Sequence, residues 1–122
     1  MKTKDFTGIR NQGPLPNPKD IEVPSDIGDL LNDYIESTNS QLDELEEAVL
    51  EYEQGNNKGE NLAAIKRVLH KIKGESAMVG IEDMSQFCHE AEFAVEEIKD
   101  EDLPDMLLRF KDWTHEAIEN MI

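Results

Sequence analysis

His70 is the residue of this sequence whose type and surroundings best suit chemistry. Four of the twelve basic residues fall close to it in the chain: Lys66, Arg67, Lys71 and Lys73. No acidic residue interrupts positions 66–73, although the chain carries a formal net charge of −16. A neutral imidazole nitrogen is a nucleophile near neutral pH, and nearby cations stabilise an added phosphate. The pattern therefore predicts a histidine that carries a phosphoryl group.

The helical period around His70 predicts that its ring faces solvent. The apolar residues of this stretch fall on one stripe of a helix: Leu62, Ile65, Leu69, Ile72 and Val79. His70 lies about 140° from the centre of that stripe. Small residues share its face, namely Ala63, Gly74 and Ala77. A glycine in mid-helix costs about 1 kcal/mol relative to alanine, so Gly74 indicates a surface that a partner must approach closely.

The residues that follow the histidine form a known signature. The run His70-x-x-Lys73-Gly74-x-Ser76-x-x-x-Gly80 resembles that of the histidine-containing phosphotransfer (HPt) domain. The resemblance extends over about residues 27–122. It implies that His70 is phosphorylated and that the group passes to an aspartate of a response-regulator receiver domain. The phosphoryl donor would be ATP, through a separate histidine kinase catalytic domain, or the receiver domain of a hybrid kinase.

A second motif lies in the next helical stretch. His89-x-x-Glu92 is similar to the His-x-x-Glu of the phosphotransfer domain in chemotaxis-type histidine kinases. This resemblance implies that Glu92 accepts a hydrogen bond from one ring N–H of His70, which leaves the other nitrogen as the nucleophile. It also implies that His89 joins the same polar network. Lys73 follows the histidine by three positions, so on a helix its ammonium group can reach the phosphate.

The remaining residues around the histidine are predicted to contact a partner. These docking candidates are Ala63, Lys66, Arg67, Lys71, Gly74 and Ala77. The basic members are expected to act mostly by steering an acidic partner. Glu75 departs from the family pattern, in which small residues are common at this position. On a helical wheel it points about 140° away from His70, so we expect it to miss the phosphate.

Composition narrows the class of protein. With 38% hydrophobic and 6% aromatic residues in 122, the chain suits one helical domain better than a β-sandwich. Its acidity argues against nucleic acid and anionic membranes as partners. No apolar run approaches the roughly 20 residues that span a bilayer, and the start shows no signal-peptide pattern, so we expect a cytoplasmic protein. Cys88 lies on an apolar stripe and is expected to be a buried thiol.

Helical periodicity predicts an all-α fold, an antiparallel up-and-down four-helix bundle over residues 25–122. The four helices are expected at about 25–54, 59–79, 82–99 and 103–122. Residues 1–24 contain four of the five prolines and little periodicity. We expect this stretch to be a flexible tail or linker that is extended and does not pack. A complete four-helix bundle buries its own apolar faces, so a monomer is expected.

Two other functions compete with a phosphotransfer module. The first is a non-catalytic docking or dimerisation adaptor of a signalling kinase, in which His70 is incidental. The second is a diiron site, which requires two Glu-x-x-His pairs. The nearest form here is Asp112-x-x-His115, whose histidine we expect at the surface, so no metal site is predicted. A glycine-rich nucleotide loop does not occur in these residues, so we expect no bound cofactor and no complete kinase. ATP and Mg²⁺ would be required by partner domains.

Overall fold

The computed structural model describes residues 4–122, and those residues form helices joined by turns and loops. The α-helices are α1 (Gly8–Asn11), α2 (Asp29–Glu53), α3 (Lys58–Met78), α4 (Glu82–Glu97) and α5 (Leu103–Glu119). Two 3-10 turns occupy Pro18–Asp20 and Asp100–Asp102. The all-α prediction is confirmed, and the four long helices lie within a few residues of their expected bounds. The first three residues of the predicted tail lie outside the described residues.

The turn between α3 and α4 depends on Gly80. Its φ of +80° is a left-handed conformation that glycine adopts without a steric penalty. This conformation lets the Ile81 N–H donate a hydrogen bond of 2.9 Å to the carbonyl of Ser76, which ends the helix. The chain then reverses within a few residues into α4. The short turn brings α3 and α4 together along their length, which is the contact that builds the site.

The core lies between the long helices. α3 packs against α2 and α4, and α5 packs against α2 and α4, which is consistent with a helical bundle. The predicted stripe of α3 faces this core, since Ile65, Leu69 and Ile72 are fully buried. Cys88 of α4 is buried as expected, and burial raises the pKa of its thiol.

A buried polar contact joins α2 to α3. Ser76 Oγ donates a hydrogen bond of 2.7 Å to the carbonyl of Ile72, one turn back in α3. Its single proton is used there, so the Tyr34 hydroxyl, 2.6 Å away, donates to Ser76 Oγ. Burial raises the pKa of Tyr34 to about 12. Ser76 of the motif thus fixes α3 against α2 and does not face the solvent at His70.

The prediction of an unpacked tail is wrong for the part of residues 1–24 that the structure describes. Phe6 and Ile9 are buried in the core. The Phe6 ring lies 5.2 Å from that of Phe87 in α4 and meets Trp113 of α5 edge-on at 5.5 Å. Residues 4–24, called the N-terminal segment below, therefore form an ordered covering over α4 and α5.

Polar contacts hold the N-terminal segment to both helices. On α5, Arg109 donates hydrogen bonds to the carbonyls of Gly8 and Gly13, and the Trp113 indole N–H donates to the carbonyl of Pro16 at 2.8 Å. On α4, Arg10 donates to both carboxylate oxygens of Glu97 at 2.9 Å. The three bonds from α5 satisfy backbone carbonyls of the segment, and the bond to Glu97 ties it to α4 through an ion pair.

Candidate functional site

His70 projects from the outer face of α3. Its side chain is 76% exposed, while Leu69 beside it is fully buried. The contrast follows from helix geometry, because neighbouring residues point about 100° apart. The imidazole is therefore accessible to another protein, as the apolar stripe predicted.

Glu92 of α4 faces the histidine across the groove between the two helices. Its Oε2 lies 3.7 Å from Nδ1 of His70. This separation is close enough for an ion pair with a protonated ring and too long for a hydrogen bond. The structure thus brings the two predicted residues together without forming the expected hydrogen bond. The Nε2 edge of the ring is left away from this carboxylate.

Lys73 shares the same carboxylate. Its Nζ lies 2.5 Å from Glu92 Oε1, the oxygen that does not face His70. That oxygen is buried and accepts no hydrogen bond of normal geometry among the described residues. The ammonium group is therefore what neutralises it, and the two side chains, 27% and 28% exposed, are partly shielded from water. His70, Lys73 and Glu92 form one cluster across α3 and α4.

The other basic residues around His70 point in different directions. Lys66 pairs with Glu96 of α4 at 3.0 Å. Arg67 pairs with Glu44 of α2 at 3.3 Å, on the other side of α3. Lys71 is exposed. The cationic cluster that the sequence predicted is thus divided between the two flanks of α3.

His89 stands apart from the cluster. Its ring contacts Phe93, one turn further along α4, edge-on with centroids 5.5 Å apart. The hydrogen bonds and ion pairs of the described residues do not join it to Glu92 or His70, so its role in the network stays a prediction. The guanidinium of Arg10, from the N-terminal segment, lies 5.1 Å from the centre of the Phe93 ring. The sequence pattern did not predict this contact, because nothing in it connects positions 10 and 93.

Small side chains line the surface beside His70, where a partner could approach closely. Ala63, Gly74 and Ala77 are exposed. A Cβ built on Gly74 would meet no atom within 4 Å, so packing within this chain does not require the glycine. Glu75 turns away from the histidine and accepts hydrogen bonds from Ser37 Oγ of α2 at 2.8 and 2.9 Å.

An exposed apolar patch lies between α2 and α3, about two turns of helix beyond His70, and the sequence pattern did not predict it. Met78, at the end of α3, is 87% exposed, and Leu30 of α2 is 57% exposed. They line a shallow groove of about 310 Å³ together with Tyr34 and Val79. Met78 follows His70 by about two turns of helix and Gly74 by about one. This spacing was the sequence signal that could have predicted an exposed apolar residue there.

Two kinds of feature do not occur in residues 4–122. No helix there combines the length and the apolar character needed to cross a bilayer. No group of three or more histidine, cysteine, aspartate or glutamate side chains is placed there to hold a metal ion. His115 lies at the surface as expected, 2.9 Å from Glu119 one turn along α5.

Comparison with known proteins gives two matches. A family model described as the Hpt domain matches residues 29–122. The chemotaxis protein CheA of Borreliella burgdorferi is 30% identical over 96 residues, which cover 74% of this chain. The matched region is 11% of that protein, so the chain spans a small part of the relative's length. No solved structure matches significantly.

Proposed function

Because this chain belongs to the Hpt domain family, we propose that it accepts a phosphoryl group on His70 and transfers it to an aspartate of a response-regulator receiver domain. The family match and the CheA relative support a phosphotransfer carrier in two-component signalling. The observation that carries the proposal is the 76% exposed His70 beside the paired Glu92 and Lys73. The donor is a histidine kinase catalytic domain that uses ATP, or the receiver of a hybrid kinase.

Phosphoryl transfer to His70 requires that one ring nitrogen be free to attack and that the other carry the proton and fix the orientation of the ring. The Glu92 carboxylate, near Nδ1, favours the tautomer that carries its proton there. The lone pair on Nε2 then attacks the phosphorus of the donor. The N–P bond forms while the P–O bond to the leaving group, ADP or a receiver aspartate, breaks. Glu92 offsets the positive charge that develops on the ring. The reverse attack, by an acceptor aspartate, regenerates the neutral imidazole.

Positioning and charge supply most of the catalysis in phosphoryl transfer. A phosphate adds about −1.5 to −2 charges near neutral pH. Lys73, held against Glu92, supplies an ammonium group on the same surface. A charge pair at about 4 Å is worth roughly 1 kcal/mol in water and roughly 4 kcal/mol at an effective dielectric constant of 20. ATP and Mg²⁺ belong to the partner domains in this proposal, and this domain holds no cofactor.

The partner docks over the low surface around His70. Gly74 and Ala77 let a receiver domain bring its aspartate close to the ring, and Met78 with Leu30 offers an apolar contact about two turns of helix away. Lys66, Arg67 and Lys71 steer the acidic phosphate-bearing site of the partner. In this proposal the chain works in the cytoplasm as a monomer.

The long helices form an up-and-down four-helix bundle in this proposal. Pairing between α3 and α4 supports it, because Lys66 meets Glu96 while Lys73 meets Glu92. The numbering of the two helices thus runs in opposite directions along their contact. Short turns, such as the one at Gly80, make sequential helices antiparallel neighbours.

Phosphotransfer with purified components tests the function. The chain is incubated with ATP and a chemotaxis-type kinase catalytic domain, or with a phosphorylated receiver domain. His70→Gln and the matched variant His115→Gln, which removes another exposed histidine, are treated alongside. Acid-labile, alkali-stable label on the wild type and on His115→Gln but not on His70→Gln is expected. The label is then chased onto receiver domains. Folded protein that takes no label from several competent donors would contradict the proposal and favour the adaptor.

A further inference from the structure

We infer that Lys66 is a second cation for phosphorylated His70, and that Glu96 holds it until the phosphoryl group arrives. The inference rests on the proposed function, because it concerns the phosphorylated state of the same histidine. It gives Lys66 a role in stabilising the phosphoryl group, beyond the steering of a partner.

Lys66 and Lys73 lie on either side of His70 along α3. Lys66 precedes the histidine by one turn, and Lys73 follows it by about one turn. Each lysine is paired with a carboxylate of α4, at 3.0 Å for Glu96 and 2.5 Å for Glu92. His70 therefore lies between two ion pairs that bridge α3 and α4. Helical side chains lean toward the N-terminus, so the imidazole leans over the turn that holds Lys66.

Lys73 is already paired with Glu92. Its ammonium group neutralises a buried oxygen of Glu92, so the pair as a whole has no net charge. A phosphoryl group of about −2 charge on Nε2 would face this neutral pair. The pair would stabilise that charge less than a free ammonium group would. A second cation close to the ring would therefore offset more of this charge than Lys73 does alone.

The Lys66–Glu96 pair, by contrast, can release its lysine. Its side chains are 47% and 66% exposed, against 27% and 28% for Lys73 and Glu92. Exposed pairs are weak because water screens them, and the lysine stem is flexible. Arg67, the other cation in the preceding turn, is turned toward Glu44 of α2. Lys66 is thus the cation on the α4 side that is free to move to the phosphoryl oxygens, while Glu96 turns to solvent.

A small phosphodonor tests the inference without any partner protein. Phosphoramidate transfers its phosphoryl group as the N–P bond to His70 Nε2 forms, its own P–N bond breaks and ammonia leaves. Two quantities are measured by ³¹P NMR: the ratio of phosphorylated to free protein at steady state, and the pKa of the phosphoryl group. The variants are Lys66→Ala, Glu96→Gln, Lys99→Ala and His70→Gln. Lys99, an exposed residue just after α4, controls for the loss of one positive charge from the chain.

Lys66→Ala is expected to lower the phosphorylated ratio about fivefold and to raise the pKa of the phosphoryl group by about half a pH unit. Glu96→Gln is expected to move both quantities in the opposite direction, because it frees Lys66. Lys99→Ala should match the wild type. A phosphorylated ratio for Lys66→Ala that equals the wild-type ratio would overturn the inference. A ratio for Glu96→Gln that falls as it does for Lys66→Ala would also overturn it, because the ion pair would then only hold the two helices together. Equal labelling of the wild type and His70→Gln would instead contradict the proposed function.

Discussion

Glu92 Oε2 lies 3.7 Å from Nδ1 of His70, across the groove between α3 and α4. A shift of less than 1 Å would bring the two atoms to hydrogen-bond distance. The carboxylate is therefore placed to hold the ring in one tautomer while its other oxygen is occupied by Lys73. The relationship makes Glu92 a positioning residue, whose effect reaches the phosphoryl group through the imidazole.

Glu92→Gln should slow the phosphorylation of His70 about fivefold, because the amide keeps the shape of the side chain but loses the charge that offsets the developing imidazolium. The measurement is the initial rate of labelling by phosphoramidate over pH 6 to 9. Glu101→Gln, at an exposed carboxylate of the 3-10 turn before α5, is the matched control. A labelling rate and pH profile that match the wild type would show that Glu92 does not orient the ring.

Phe6→Ala should lower the free energy of unfolding by about 3–5 kcal/mol, the range for truncating a buried phenylalanine. Phe6 is 2% exposed and contacts the rings of Phe87 and Trp113. Urea unfolding measures the change, with Leu50→Ala, at an exposed leucine of α2, as the control expected near zero. A small effect for Phe6→Ala would mean that the N-terminal segment lies on the bundle without stabilising it.

The N-terminal segment also shows what the sequence could not predict. Helical periodicity over twenty or so residues gave the buried stripe of α3 and the exposure of His70, because both follow from geometry within one helix. α1 is a single turn among prolines and glycines, too short for any period to appear. The burial of Phe6 depends on rings that come from positions 87 and 113, and local pattern carries no information on such contacts.

The residues of the site were predictable from the sequence, but their pairings were not. The motif identified His70, Lys73 and Glu92, and the structure brings these three together. The register of α3 against α4 determines which carboxylate pairs with each lysine. The pairing of Lys66 with Glu96, and the turn of Arg67 toward Glu44, therefore could not be derived from spacing along one helix.

Tyr34 should make the fold less stable at alkaline pH. Burial raises its pKa to about 12 in the folded chain, whereas an unfolded tyrosine has a value near 10. Above pH 10 the unfolded chain loses this proton first, so the free energy of unfolding falls, by about 2–3 kcal/mol once pH 12 is reached. Urea unfolding at pH 8, 10 and 11.5 measures the fall. Tyr34→Phe should be less stable at pH 8, because Ser76 loses a buried donor, but should show a shallower alkaline decline.

Met78→Lys should slow transfer from phosphorylated His70 to a receiver domain about tenfold at subsaturating receiver. The substitution puts a charge into the apolar patch that Met78 and Leu30 expose about two turns of helix from the histidine, and burying that charge under a partner is costly. The control Leu50→Lys puts the same charge on an exposed apolar residue of α2 outside the patch, and it should transfer the phosphoryl group like the wild type. Equal transfer by both variants would place the docking surface elsewhere on the chain.

Gly74→Ala should change stability and transfer in opposite directions. A Cβ at this position meets no atom within 4 Å, so the alanine gains helix propensity, about 1 kcal/mol, without any clash. The same methyl group stands on the surface that a receiver must approach, one turn from His70, and should slow transfer several-fold. Gly59→Ala is the matched control, since a Cβ there also meets nothing within 4 Å and lies near the far end of α3. Thermal unfolding and the chase of label onto a receiver measure the two effects. A stabilised Gly74→Ala that transfers as fast as Gly59→Ala would show that close approach at Gly74 is not what the glycine serves.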